Sequence, residues 1–149
     1  MKWTRNKSAV LVPFDFTDNA REALQAALDF VEAPSAIDVV YVMAPPTPPA
    51  PGLLWGDLDV ESMRARAEQA LDTALAEAGA SGCNTHVLMG TPASRLVEFA
   101  NERGSDLVVI PSHGRRGLDR WLMGSVAERV VRLAPCPVLV LRAEAAEGD

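Results

Sequence analysis

Between Pro111 and Val126 the chain concentrates the residues best suited to hold an anion. Pro111-Ser112-His113-Gly114-Arg115-Arg116-Gly117 continues through Arg120 to Gly124-Ser125-Val126, where a helical pattern begins. Glycine lets a phosphate approach the backbone closely, the first N–H groups of a helix lack intrahelical acceptors, and guanidinium groups match phosphate oxygens. The same residues admit a plainer reading, because Ser125 and Glu128 have the spacing of a capping box, a helix start that needs no ligand. A second candidate is Asp15, a carboxylate just past an apolar run in Pro13-Phe14-Asp15-Phe16-Thr17; it is either a ligand group or a lead-in to the next helix. His113 either contacts a substrate or shapes its turn, and no Ser or Cys nucleophile with a matching Asp is evident, so no catalytic residue is assigned.

The elements that must position these groups follow from hydrophobic periodicity. Short apolar runs predict strands over Ser8–Pro13, Ile37–Met43, Cys83–Met89, Leu107–Pro111 and Pro137–Leu141. Helical spacings of three and four predict helices over Asp18–Val31, capped by Thr17 or Asp18, and over Asp57–Ala78. A third helix starts at the Thr91-Pro92 cap and stops at Gly104, and a last one runs from near Ser125 to about Leu133. Strand alternating with helix along the whole chain implies a single α/β domain over 1–149, an open five-stranded parallel sheet with helices on both faces. Five of the eleven prolines fall between Pro45 and Pro51, which makes 45–52 a surface loop. Residues 1–7 and 143–149 are expected to be flexible tails. In such a sheet ligands bind beyond the carboxyl ends of the strands, where the strand order reverses, so Asp15 and the 111–126 segment fall in the right place.

Composition narrows the class. With 149 residues, 48% hydrophobic and 23% charged, the chain has the make-up of one globular domain. The net charge of −6 argues against a general nucleic-acid binder. That average hides a contrast: residues 111–135 hold five arginines against Asp119 and Glu128, whereas the rest of the chain is strongly acidic. A single nucleotide therefore stays in play where a nucleic-acid surface does not. Cys83 and Cys136 stand far apart and outside any metal-binding spacing, as expected of two buried thiols in a reducing compartment. No apolar run approaches a membrane span, and the run after Lys2, Arg5 and Lys7 is too short for a signal peptide; the expected location is the cytoplasm. His86 reads as an ordinary strand residue, and Trp121, Leu122 and Met123 as packing or dimer surface.

Taken in order, P-x-D-F-T after the first strand, G-x-P before the third helix, D-L-V-V-I-x-S-H-G, G-S-V-A-E-R-V and C-P-V-L-V resemble the universal stress protein family over nearly the whole chain. The resemblance implies an adenine nucleotide alpha hydrolase-like, Rossmann-like sheet of strand order 3-2-1-4-5. ATP-binding members carry G-x2-G-x9-G-[ST]; here Gly114 is the second glycine, Gly124-Ser125 closes the motif, and Pro111 replaces the first glycine. Carried over by position, the resemblance implies that Asp15 holds the ribose or adenine side and Pro13 lines the same wall. Val42 would offer backbone groups to adenine, Gly114 would cradle ribose and phosphate, and Gly124, Ser125 and Val126 would meet the phosphates, with Arg115 adding charge. ATP with Mg²⁺ carried on its phosphates is the implied ligand. A homodimer through Val138, Leu139, Val140 and Leu141 is the implied assembly.

Other nucleotide classes lack their marks. The first strand is not followed by G-x-G-x-x-G, both lysines lie within the first seven residues and away from any glycine loop, and no Asp follows the third strand as a phosphoacceptor would require. Two readings remain: a nucleotide-dependent stress regulator with at most slow ATPase activity, or a family member that binds no nucleotide and acts as a dimeric protein-interaction module.

Overall fold

A computed structural model of the chain describes residues 6–45, 60–113 and 123–142. Its order is β1 (Val10–Pro13), α1 (Asp18–Leu28), a short 3-10 turn (Pro34–Ala36), β2 (Ile37–Met43), α2 (Val60–Glu77) and β3 (Asn84–Met89). There follow α3 (Pro92–Arg103), β4 (Leu107–Pro111), α4 (Ser125–Leu133) and β5 (Val138–Leu141). Every pairing is parallel, and the strand order is 3-2-1-4-5. β2 and β4 have the expected bounds. α1 ends three residues before the expected Val31, because Asp29 and Phe30 turn back onto Ala26 and Ala27 through their N–H groups.

The alternation of side chains along each strand divides the interior into two layers. Val10, Val12, Val39 and Val109 face α1 and α2, where Leu24, Leu71 and Leu75 are fully buried. Leu11, Val40, Val108 and Ile110 face α3 and α4, against Leu96, Ala100, Ala127 and Val130. Strands covered on both sides are continuous apolar runs for this reason. Thr17 caps α1, its hydroxyl accepting from the Ala20 N–H at 3.2 Å. Gly104 closes α3 in the left-handed conformation (φ 67°, ψ 41°), where any side chain would be strained.

The tails expected at 1–7 and 143–149 lie largely outside the described residues, as does most of the proline-rich loop. Lys7, however, is buried, and its N–H donates to the Phe30 carbonyl at 2.8 Å. At the amino ends of the strands the Asp106 carboxylate accepts from the N–H groups of Ser8 (2.9 Å) and Ala9 (3.2 Å), tying β4 to the lead-in of β1.

Candidate functional site

A crevice opens where β1 and β4 part. The two strands pair only at Val10↔Leu107 and Leu11↔Val108, whereas β1 stays with β2 to Pro13↔Val40 and β4 stays with β5 to Pro111↔Leu141. The prolines account for the parting. The Phe14 N–H donates to Val40 of β2, and the Ser112 N–H donates to Leu141 of β5. Because successive residues of a strand direct their N–H groups to opposite sides, positions 13 and 111 would each direct theirs toward the other strand. Both are proline, so neither has a donor to continue the ladder, and no orphan N–H is left in the gap.

Beyond this point lies a cavity of about 370 Å³, a size suited to a small-molecule ligand. Pro13, Asp15 and Val42 form part of one wall, and Pro111, Gly124, Ser125 and Val126 part of the other. Seven of the nine residues singled out from the sequence thus share one cavity; Gly114 and Arg115 lie outside the described residues, with Arg116 and Arg120. Asp15 is the one ionisable carboxylate among the described lining residues, and the remaining wall is largely apolar, with Val40, Leu96 and Ile110 contributing.

The α4 end of the cavity carries its donors. Gly124 is the N-cap (φ −60°, ψ 152°) and, having no side chain, makes no side-chain cap hydrogen bond. Glu128 bonds instead to Arg132 at 2.9 Å, so the capping box expected from Ser125 and Glu128 is not formed. A glycine at the cap has no side-chain oxygen, and the Glu128 carboxylate is drawn along the helix by the i+4 arginine. The N–H groups at the start of α4 are therefore left pointing outward without an intrahelical acceptor, at the positive end of the helix dipole. Gly124 is needed for a separate reason: its N–H donates to the Ser112 carbonyl at 2.6 Å, and a Cβ there would stand 3.0 Å from the same oxygen.

On the opposite wall Asp15 is held in place. Its Oδ1 accepts from both the N–H and the hydroxyl of Thr17. Between them Phe16 adopts φ 66°, the one left-handed residue other than glycine among those described. That conformation strains a bulky side chain by about 1–3 kcal/mol and persists only where its surroundings enforce it. Arg21 donates from Nη1 to the Phe16 carbonyl at 2.7 Å. Phe16 also packs edge-on between Phe14 and Tyr41, at centroid distances of 5.3 and 5.1 Å.

His113 is buried at 8% exposure, with Nδ1 3.1 Å from the Ser112 hydroxyl and Nε2 without a hydrogen-bond partner among the described residues. It is not among the described residues that line the cavity. Sequence reasoning missed a cluster at the opposite pole. There Asp38, 3% exposed, accepts from His86 Nε2 (2.9 Å), Asn84 Nδ2 (3.3 Å) and the Arg103 guanidinium (3.2 Å to each oxygen). His86 is thus more than an ordinary strand residue; only the β2–β3 register, which sets Asp38 beside Asn84, reveals its partner. The hydrogen bond to Asp38, followed by its charge, raises the Arg103 pKa.

Burial pushes the Cys83 thiol above its ordinary value, and burial followed by the charge of Asp106 does the same for Cys136. Both thiols are free; Cys83 is buried as expected, whereas Cys136 is only partly buried. Among the described residues no group of three or more His, Cys, Asp or Glu could hold a metal, and no helix is long and apolar enough to cross a membrane.

A parallel α/β sheet of order 3-2-1-4-5 with a cavity at its switch point defines a Rossmann-like protein of the class that receives ligands at strand ends. Residues 8–142 match the model of the universal stress protein family, and the chain belongs to that family. It is 37% identical to a universal stress protein of Methanocaldococcus jannaschii over 139 residues, 89% of this chain and 81% of that one. Among solved structures, the universal stress protein UspA from Lactobacillus plantarum superposes with a TM-score of 0.73 at 25% identity, covering 92% of this chain and 99% of that one. Two more distant proteins share the fold. One is a universal stress protein in complex with cAMP, with a TM-score of 0.62 at 20% identity over 93% of this chain and 99% of that one. The other is a family protein from Arabidopsis thaliana with AMP bound, with a TM-score of 0.57 at 18% identity over 93% of each chain.

Proposed function

We propose that this universal stress protein binds an adenine nucleotide, ATP foremost, in the cavity between β1 and β4 and acts as a nucleotide-dependent regulator of a stress response in the cytoplasm. The observation that carries the reading is the uncapped start of α4 on the cavity wall, whose N–H donors and dipole suit phosphate. Gly124, Ser125 and Val126 would meet the phosphates, joined by Gly114 and Arg115. The apolar wall with Pro13 and Val42 would take the adenine, and Asp15 the ribose or adenine side. The related structures carrying AMP and cAMP support an adenine nucleotide in general. Mg²⁺ would ride on the phosphates, since Asp15 alone among the described lining residues offers a carboxylate. No residue is assigned as a catalytic base, so hydrolysis would be slow at most.

Heating the pure protein and resolving the supernatant by anion exchange should release an adenine nucleotide, and Mg-ATP should raise the melting temperature of stripped protein. Ser125→Asp is the discriminating variant. An acid in the first turn favours α4 by about 0.3–1 kcal/mol through the dipole, yet places negative charge where phosphate would sit. The expected outcome is an unchanged or higher melting temperature without ligand and a loss of at least tenfold in ATP affinity. No released nucleotide and no shift with Mg-ATP would favour the interaction-module reading instead.

Assembly as a homodimer through β5 belongs to the same proposal. β5 is an edge strand whose four residues Val138–Leu141 are only half-buried, and α4 beside it exposes Val131 and Leu133 at 43% and 50%. An apolar edge left open invites pairing with another chain. Light scattering at micromolar concentration should give twice the chain mass; a monomer would refute the assembly.

A further inference from the structure

We propose that Arg21 is a positioning residue for the nucleotide site, acting by holding Phe16 in its left-handed turn so that the Asp15 carboxylate is preset before ligand arrives. The inference rests on the nucleotide reading above. Three observations meet at one loop. Phe16 sits at φ 66°, which a phenylalanine does not adopt unassisted. The Arg21 guanidinium, one turn into α1, donates to the Phe16 carbonyl at 2.7 Å and lies 5.9 Å from the centre of the Phe14 ring. The turn so held directs the Thr17 N–H and hydroxyl onto Asp15 Oδ1. With Oδ1 committed to Thr17, Oδ2 is the oxygen left to accept from a ligand hydroxyl or amino group. Arg21 also pairs with Asp18 at 3.6 Å, an exposed contact on the same helix that contributes little.

The alternative for a cation near an anion site is long-range attraction of phosphate, and the two roles part under mutation. Arg21→Met keeps the alkyl stem but removes the donors and the charge. If Arg21 holds the turn, this variant should bind ATP about tenfold more weakly and lose hydrogen-exchange protection at the Thr17 amide. Phe16→Gly needs no clamp, because glycine enters the left-handed region freely. The double variant Arg21→Met with Phe16→Gly should therefore recover most of the lost affinity and the Thr17 protection. Should Phe16→Gly fold poorly for want of its aromatic contacts, Phe16→Asn makes the same test, asparagine being tolerant of that conformation.

An Arg21→Met loss that neither Phe16 variant restores would assign Arg21 to charge attraction and overturn the proposal. Unchanged affinity in Arg21→Met would overturn it equally. If the native protein bound no adenine nucleotide, the functional reading would fall while the clamp was still judged: Thr17 protection lost in Arg21→Met and regained in the double variant would support it, and any other pattern would reject it.

Discussion

Asp38→Ala is expected to be the most damaging single change outside the apolar core, lowering stability by about 3 kcal/mol, read as a fall in the urea midpoint. The carboxylate is buried and accepts from three side chains on β3 and α3. Its removal leaves the His86 donor facing a methyl group, while Asn84 keeps its bond to the Ser35 carbonyl at 2.9 Å, and hydrogen bonds to a charged partner are worth about 1.5–3 kcal/mol each. Arg103 is half-exposed and turns to water, which keeps the loss at the low end of that for a broken buried pair. Asp38→Asn should lose less, keeping the volume and one acceptor. Against a total stability of roughly 5–15 kcal/mol the alanine change is large. The cluster sits at the amino ends of the strands, so nucleotide affinity of the folded variant should stay within about twofold of the native protein. A stability within 1 kcal/mol of native would show that the cluster is solvated rather than closed.

Gly124→Val is the second large effect, and it acts on fold and cavity together. The new Cβ would stand 3.0 Å from the Ser112 carbonyl oxygen, which already accepts the Gly124 N–H at 2.6 Å. The obstacle is backbone and cannot rotate away, so Ser112 or the first turn of α4 must give by a few tenths of an ångström. Overpacking of this kind costs about 1–3 kcal/mol, and parting the N–H from its acceptor adds about 1 kcal/mol. Gly124→Ala should show a smaller loss of the same sign. Valine should also abolish any nucleotide-dependent rise in melting temperature, because the cavity wall at the start of α4 is disturbed. Ser125→Asp separates the two effects, since it alters the charge and leaves the contact alone. Native-like urea unfolding of Gly124→Val would mean that the close approach relaxes without strain.

The layers and the position of the cavity were legible because the relevant signals are local. Pro92 at a helix start, Gly104 at its stop and the unbroken apolar runs of β2 and β4 each carry their conformation in a few adjacent residues. Pro13, Asp15 and Val42, named through the family resemblance, line one cavity with Gly124 and Ser125 because strand ends in this topology converge on one crevice. What escaped was set by distant neighbours. Asp38, His86 and Arg103 are far apart in sequence and meet only through the register of two strands and the C-terminal end of a helix. The left-handed turn at Phe16 was invisible because phenylalanine gives no hint of it; Arg21 and the surrounding rings impose it. The capping box failed because its serine is the first helical residue rather than the cap. The proline at 111, which replaces the first glycine of the family motif, becomes intelligible only beside the proline at 13 across the same gap.

The pairing of β1 has a consequence for how the chain assembles. β1 is the middle strand, and it meets β2 at Val10↔Ile37 but β4 only at Val10↔Leu107. As the polypeptide leaves the ribosome, the first three strands are able to associate early, whereas the other side of β1 waits for more than half the chain to follow. Closing so long a loop is the slow, entropically opposed step of such a topology. The crevice therefore comes into being only after the β1–β2–β3 half of the sheet is available, and it marks the seam between an early-forming half and a late-arriving one. A molecule lodged in it would touch both halves at once, and by mass action it would hold the seam shut.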